Sequence, residues 1–238
     1  MQINYDSQEI DHFSSLAAHW WDTMGLLKTL HQINPIRLCY IKKNVNLLDK
    51  KVIDIGCGGG ILTESMAKEG AIVTGIDMSK PVLDVAELHQ LESKTNIEYI
   101  HTAAESIATK RPASYDVVTC LEMLEHVPDP FSIIQACAQL VKPGGHVFFS
   151  TINRHPKAYF FAILGAEYFL KLLPKNTHDY AKFIRPSELS TWLRQSNLLP
   201  QETCGISYSP FTSQFNLTND ISVNYLLYAR ANDMAISK

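Results

Sequence analysis

Between residues 51 and 151 the chain alternates short apolar runs with stretches of helical periodicity, and this rhythm limits the fold more than any other feature. KVIDIGCGG, AIVTGID, NIEYIHT, YDVVTCLE and GHVFFST read as strands, with segments such as ILTESMAKEG and PFSIIQACAQLVK as the helices between them. A helix between consecutive strands carries the chain back to its starting end, so the strands run parallel. The expected fold is α/β: a doubly wound, mostly parallel sheet of seven strands with helices on both faces. Two of the seven follow residue 205, where ISYSPFTSQFNL and SVNYLLYAR are separated by a turn and would make an antiparallel edge.

Glycine and proline are spread too evenly to mark a linker, so residues 1–238 read as one domain. Residues 1–50 form a cap of two or three helices over the site, and residues 51–152 form the core. Residues 153–186 form a helical insertion between the fifth and sixth strands, and residues 187–238 supply the last helix and strands. With 238 residues, 46% of them apolar, such a domain buries a full core without disulfide or metal staples. Cys39, Cys57, Cys120, Cys137 and Cys204 are scattered and never form CxxC, which argues against a disulfide framework or zinc ribbon and for a reducing cytoplasm. A net charge of -3 leaves no basic footprint for nucleic acid. Residues 1–12 are polar, and no apolar run reaches the roughly 20 residues that cross a bilayer, so neither a signal peptide nor a membrane span is expected.

The strongest motif is VIDIGCGGG, residues 52–60, in which a strand ends at Asp54 and a turn carries Gly56, Gly58, Gly59 and Gly60. Glycines let backbone approach a ligand closely, and the helix that follows offers its N-terminal amides. A dinucleotide fingerprint would place its third glycine where this chain has Ile61, which disfavours NAD. The next strand, AIVTGID, ends at Asp77, where a carboxylate can accept two hydrogen bonds from a ribose diol. The loop and Asp77 together point to a ligand containing an adenosine; the competing reading makes Asp77, Met78 and Ser79 a helix cap ahead of Pro81.

DIGCGGG, the Asp77 strand tip, YDVVTCLEMLEHV and LVKPGGHVFFST resemble, in order and spacing, the Rossmann-like class I S-adenosylmethionine-dependent methyltransferases. That resemblance implies that Gly56, Gly58 and Gly60 hold the methionine part of S-adenosyl-L-methionine, Asp77 the ribose, and Ala104 with Glu105 the adenine region. Leu121 is carried over as a further cofactor contact. Asp54 would support the cofactor's ammonium group or order the loop. HWWDTMGLLKTLHQINPIRLCYI, EMLEHVPDP and GAEYFLKLLPKNTHDYAKFIRPSEL narrow the resemblance to the ubiquinone-biosynthesis O-methyltransferase family, over nearly the whole chain. It implies methylation of catechol-type hydroxyls on polyprenylated rings, at two steps of one pathway and within reach of a complex of that pathway's enzymes. Arg37 of INPIR matches a cofactor position of the family, and a guanidinium fork suits a bidentate grip on a carboxylate.

Methyl transfer to a phenol requires an oxygen nucleophile in line with the methyl carbon, yet a phenol of pKa near 10 is mostly protonated at neutral pH. A general base or a divalent cation would lower that barrier, and CLEMLEHVPDP, residues 120–130, offers groups for either. His126 is the candidate base. Glu122, Glu125 and His126 would share one face of a helical turn and could hold Mg or another divalent metal, an arrangement that the family's mitochondrial branch implies. Against this, Asp129 between Pro128 and Pro130 is a good helix N-cap, which leaves residues 122–126 in a loop, where the helical-face argument fails.

KAYFFAILGAEYFLKLL, residues 157–173, is strongly apolar but short for a span. It reads as a lid over an apolar pocket, as a helix lying on the inner face of the membrane, or as an ordinary buried helix. His178 and Asp179 follow as gate or loop residues. The leading expectation is a cytoplasmic, peripherally membrane-associated O-methyltransferase; a nucleotide-dependent oxidoreductase, a methyltransferase for other small phenols and a non-catalytic cofactor-binding protein are the alternatives.

Overall fold

In a computed structural model that describes residues 4–158, 180–209 and 214–233, the five anticipated strands are β1 (Lys51–Ile55), β2 (Ile72–Asp77), β3 (Glu98–His101), β4 (Tyr115–Leu121) and β5 (Val141–Ile152). They pair in parallel in the order β3-β2-β1-β4-β5. Each central strand is apolar on both faces because helices cover both. Ile53, Val118 and Phe149 pack with α5 (Ala104–Lys110), α6 (Pro130–Leu140) and α8 (Pro186–Gln195). Their sequence neighbours Val52, Val117 and Phe148 pack with α2 (Lys28–Asn44) and α3 (Ile61–Lys68) on the other side.

The sheet has eight strands, one more than expected. β6 (Leu198–Ser209), β7 (Gln214–Thr218) and β8 (Asn224–Ala231) extend the order as β5-β8-β6-β7, with antiparallel pairing at each step. ISYSPFTSQFNL thus holds the end of one strand and all but the last residue of another. β6 starts well before that apolar stretch, at a segment disguised by Pro200 and by a register shift between Pro200 and Glu202. The remainder of the expected class stands: doubly wound, mostly parallel, with an antiparallel edge.

Ahead of the sheet come α1 (Ser7–Leu16), capped by Asp6, and α2, the predicted helical cap. α4 (Lys80–Ser93) starts at Ser79, whose hydroxyl accepts from the Val82 amide. α6 starts at Pro130, capped by Asp129, as the sequence indicated. After β5 the chain enters α7 (Pro156–Ala158) and returns through a 3-10 turn at Tyr180–Lys182, with Ala158 and Phe183 buried against Ile152. From residue 159 to 173 the apolar insertion lies outside the described residues, as do His178 and Asp179. Among the described residues no helix is long and apolar enough to cross a membrane, and the five cysteines are free thiols.

Candidate active site

The strand order reverses between β1 and β4, and a cavity of about 770 Å3 opens over the carboxyl ends of the strands at that switch point. Its wall takes in Arg37, Asp54, Gly56, Gly58, Asp77, Ala104, Leu121, Glu122, Glu125 and His126. Ten of the twelve sequence candidates therefore meet in one place; Gly60 and Glu105 do not reach the wall.

Over β1 and β2, the loop after Asp54 turns through left-handed backbone at Gly56, Gly58 and Gly60. At Gly58 a Cβ would sit 2.3 Å from the ring of Trp20, so the residue's bareness lets the N-terminal cap close onto the loop. The neighbouring Trp21 donates its indole N–H to the Gly59 carbonyl at 2.9 Å and stacks on His89. Gly60 is the N-cap of α3, and a Cβ there would meet the Tyr99 hydroxyl, so it shapes the turn rather than the wall.

Asp54 is buried and accepts the hydroxyls of Thr63 and Thr119, each at 2.7 Å. These bonds tie the end of β1 to α3 and β4. Burial pushes its carboxyl up to about 6, while the two threonines and the charge of Arg37 pull the other way. Asp77 accepts the Gly58 amide at 2.9 Å and the Ser79 amide at 2.8 Å, and burial raises its pKa too. Each Asp77 oxygen keeps a second acceptor site for a ligand. The Arg37 side chain, 10% exposed, sets Nη2 3.3 Å from Glu122, while its Nε is buried without a partner. An orphaned guanidinium donor in the wall of a cavity is a place for an anionic ligand group. Ala104 lies at the far end of this half, but Glu105 turns out of it, accepting from Asn4 at 3.0 Å and Ser132 at 2.8 Å.

Beyond β4 the chain leaves the sheet at Glu122, held at φ +52° by two bonds to Ser150, whose carbonyl and hydroxyl both accept the Glu122 amide. The Ser150 hydroxyl also donates to Glu122 Oε1 at 2.6 Å. A 3-10 turn, Leu124–His126, follows. Glu125 accepts the Thr151 hydroxyl at 2.8 Å through Oε2, and its Oε1 is buried without a partner. Burial, with the nearby charge of Glu122, pushes Glu125 up to about 7. His126 sets Nδ1 3.1 Å from Glu9 of α1, and the Phe13 ring meets its imidazole edge-on at 5.1 Å. Burial alone would lower the His126 pKa, but Glu9, Glu125 and Glu122 together raise it.

The expected metal set is not assembled in this arrangement. Among the described residues no group of three His, Cys, Asp or Glu side chains converges to hold an ion. Glu122 is engaged with Arg37 and Ser150, Glu125 with Thr151, and His126 with Glu9. The reason is local: a 3-10 turn entered from a left-handed residue does not give the common α-helical face that the spacing suggested. Sequence reading also missed Glu9 and Lys182, which meet at 3.0 Å beside His126. Neither belongs to a motif that the sequence reading assigned a role.

Among proteins of known assignment, the ubiquinone biosynthesis O-methyltransferase of Saccharophagus degradans is 61% identical, across 96% of this chain and 98% of the relative. The chain belongs to that O-methyltransferase family. Its counterpart in Aromatoleum aromaticum is 58% identical across 97% of this chain and 98% of its own. A methyltransferase-domain family profile matches residues 34–202 of this O-methyltransferase. At the level of fold it is similar to the magnesium protoporphyrin IX methyltransferase of Synechocystis solved with bound SAH. That chain gives a TM-score of 0.68 at 18% identity, with 95% of this chain and 99% of that one covered. The [4+2]-cyclase SpnF superposes with a TM-score of 0.62 at 14% identity, covering 84% of this chain and 80% of its own. These superpositions speak to the fold alone.

Proposed function

We propose that this O-methyltransferase moves the methyl group of S-adenosyl-L-methionine to a ring hydroxyl of a polyprenyl catechol (2-polyprenyl-6-hydroxyphenol) and of 3-demethylubiquinol. The observation that carries the reading is one cavity at the β1/β4 switch whose wall brings together Arg37, Asp77, the glycine loop and His126. S-adenosyl-L-methionine supplies an electrophilic methyl group and leaves as a neutral thioether. Arg37 Nε binds its carboxylate, and the free acceptor sites of Asp77 take its ribose hydroxyls. Asp54, a buried carboxylate beside the loop, favours the cofactor's positive charge. His126 accepts the phenol proton at Nε2, leaving a phenolate in line with the methyl carbon. With the cofactor bound, the oxygen–carbon bond would form as its carbon–sulfur bond broke, and the imidazole of His126 would keep the proton.

The reading is tested with purified enzyme, cofactor and each of the two phenols. Methylated product from either is expected; no product from both would overturn it. We further propose that the enzyme works at the cytoplasmic face of a membrane, where a polyprenylated substrate would lie, and co-sedimentation with liposomes of bacterial phospholipid tests that proposal.

A second reading has one observation in its favour. The unpartnered Oε1 of Glu125 lies near the charge of Glu122, and a divalent cation held by Glu122, Glu125 and His126 would relieve both while polarising a bound hydroxyl. It requires Glu122 to leave Arg37 and Ser150. Turnover that survives chelation sinks it, and turnover lost on chelation and restored by magnesium sinks the unaided-base reading.

A further inference from the structure

Glu9 and His126 are 117 positions apart in sequence, and Lys182 is 173 positions from Glu9, yet the three side chains form one chain of contacts. α1 supplies Asp6, Glu9 and Phe13 at spacings of three and four residues, hence along one face. Asp6 and Glu9 both accept from Lys182 Nζ, at 3.4 and 3.0 Å, and Phe13 packs its ring against the imidazole. Lys182 enters from the 3-10 turn that precedes α8, so the contact forms only when the N-terminal cap and the stretch after the insertion are both in place. Neither Glu9 nor Lys182 belongs to the glycine loop, the Asp77 tip or the residue 120–130 stretch.

We propose that Glu9 is a positioning residue for His126, fixing the imidazole with Nδ1 protonated and Nε2 turned to the substrate hydroxyl, and that Lys182 holds Glu9 in that role. A carboxylate only accepts, so Nδ1 must carry the hydrogen at this contact, and in the neutral ring the lone pair is then on Nε2. Without Glu9 the ring is free to choose the other tautomer or to rotate, and Nε2 is no longer presented. The inference rests on the reading of His126 as the base.

The test is a double-mutant cycle on the full-length enzyme, with turnover of the demethylated quinol read at saturating cofactor. Glu9→Gln keeps the size of the side chain, but its amide can donate to Nδ1 and so favours the wrong tautomer. Its kcat is expected to fall about tenfold or more, with the KM for cofactor and the melting temperature unchanged. Lys182→Met should give a smaller fall of the same kind. Adding Glu9→Gln to His126→Ala should cost nothing further, because Glu9 acts through the ring that is gone. Ring-nitrogen NMR of His126 gives a readout independent of activity: Nδ1–H in the parent, and loss of that tautomer in Glu9→Gln. An unchanged kcat in Glu9→Gln, or losses that multiply in the double variant, would overturn the positioning role while leaving the base in place. A His126→Ala enzyme with parental kcat would instead overturn the base reading, and this inference with it.

Discussion

On the side of the cavity over β1 and β2, Asp54 and Asp77 each find a partner within one strand–loop–helix unit, alongside the longer link from Asp54 to Thr119, whereas beyond β4 His126 depends on a residue from the far end of the chain. Asp54 reaches Thr63 within the same loop and helix, and Asp77 reaches Gly58 across 19 positions. His126 depends on Glu9 at the other end of the chain, and Glu9 on Lys182 after the insertion. A contiguous strand–loop–helix unit can be transplanted between enzymes with its ligand, which suits a cofactor. A substrate site assembled from cap, sheet end and insertion can change partners without disturbing that unit. If this division is real, substitutions on the two sides should separate kinetically: one side should move cofactor affinity and the other turnover.

The sharpest test is His126→Ala. Removing a general base costs roughly 100- to 10,000-fold in turnover. Cofactor affinity, measured by calorimetry with S-adenosylhomocysteine, should be largely kept, because Arg37, Asp54 and Asp77 are held by Glu122, Thr63, Thr119 and the Gly58 and Ser79 amides rather than by His126. Asp77→Ala is the mirror experiment. Loss of hydrogen bonds to a charged acceptor, worth about 1.5 to 3 kcal/mol, should raise the cofactor Kd roughly ten- to a hundredfold, with kcat at saturation much less affected. Observing the reverse pattern in this pair would collapse the distinction between the two sides.

How far each side was legible in the sequence follows the same line. The central strands were readable because they are buried on both faces and so appear as short apolar runs, whereas β3, exposed at both ends, was readable from its place in the alternation with helices. Asp54, Gly58 and Asp77 were readable because strand ends and glycine turns are local signals. Ser79 proved to be the cap of α4, and Asp77 braces the Gly58 and Ser79 amides, so the ligand-binding and capping readings of this stretch describe neighbouring atoms and not rival folds. Glu105 stays out of the cavity wall because its first-turn side chain reaches Ser132 at the start of α6, a direction that adjacency to Ala104 does not reveal. Glu122, Glu125 and His126 do reach the cavity wall, but not on the shared helical face that their spacing suggests, since the chain enters their 3-10 turn from a left-handed residue. Glu9 was invisible for a simpler reason: its partners exist only after the cap has docked.

A pH titration probes the cofactor side from a different direction. Asp54 has a folded-state pKa of about 6, raised chiefly by burial from an ordinary value of 3.8. Its carboxylate form attracts the positively charged cofactor, and its protonated form does not. Cofactor Kd should therefore be constant above that value and rise as pH falls through about 6, by less than the Asp77→Ala effect because the loop contacts stay in place. In Asp54→Asn the rise should disappear. A parental Kd that is flat down to pH 5 would show that the buried carboxylate orders the loop only, and its contribution to the comparison would be structural.

The smallest effect is expected where the two sides share a support. Asp129 caps α6 by accepting the Phe131 amide at 3.1 Å, while its own backbone amide and carbonyl bond Asn4 of the N-terminal segment. Asp129→Ala removes the side-chain cap but leaves both backbone bonds, so the cost should be that of an N-cap, about 1 kcal/mol. For a domain of this size that lowers the melting temperature by roughly 2 to 4 °C. Neither cofactor Kd nor kcat should change, because the Asn4 link still fixes the N-terminal segment against the start of α6. If kcat falls with the melting temperature while Kd stays constant, the side beyond β4 is more loosely held than the other. The kinetic split would then reflect rigidity as well as the identity of the groups that touch each ligand.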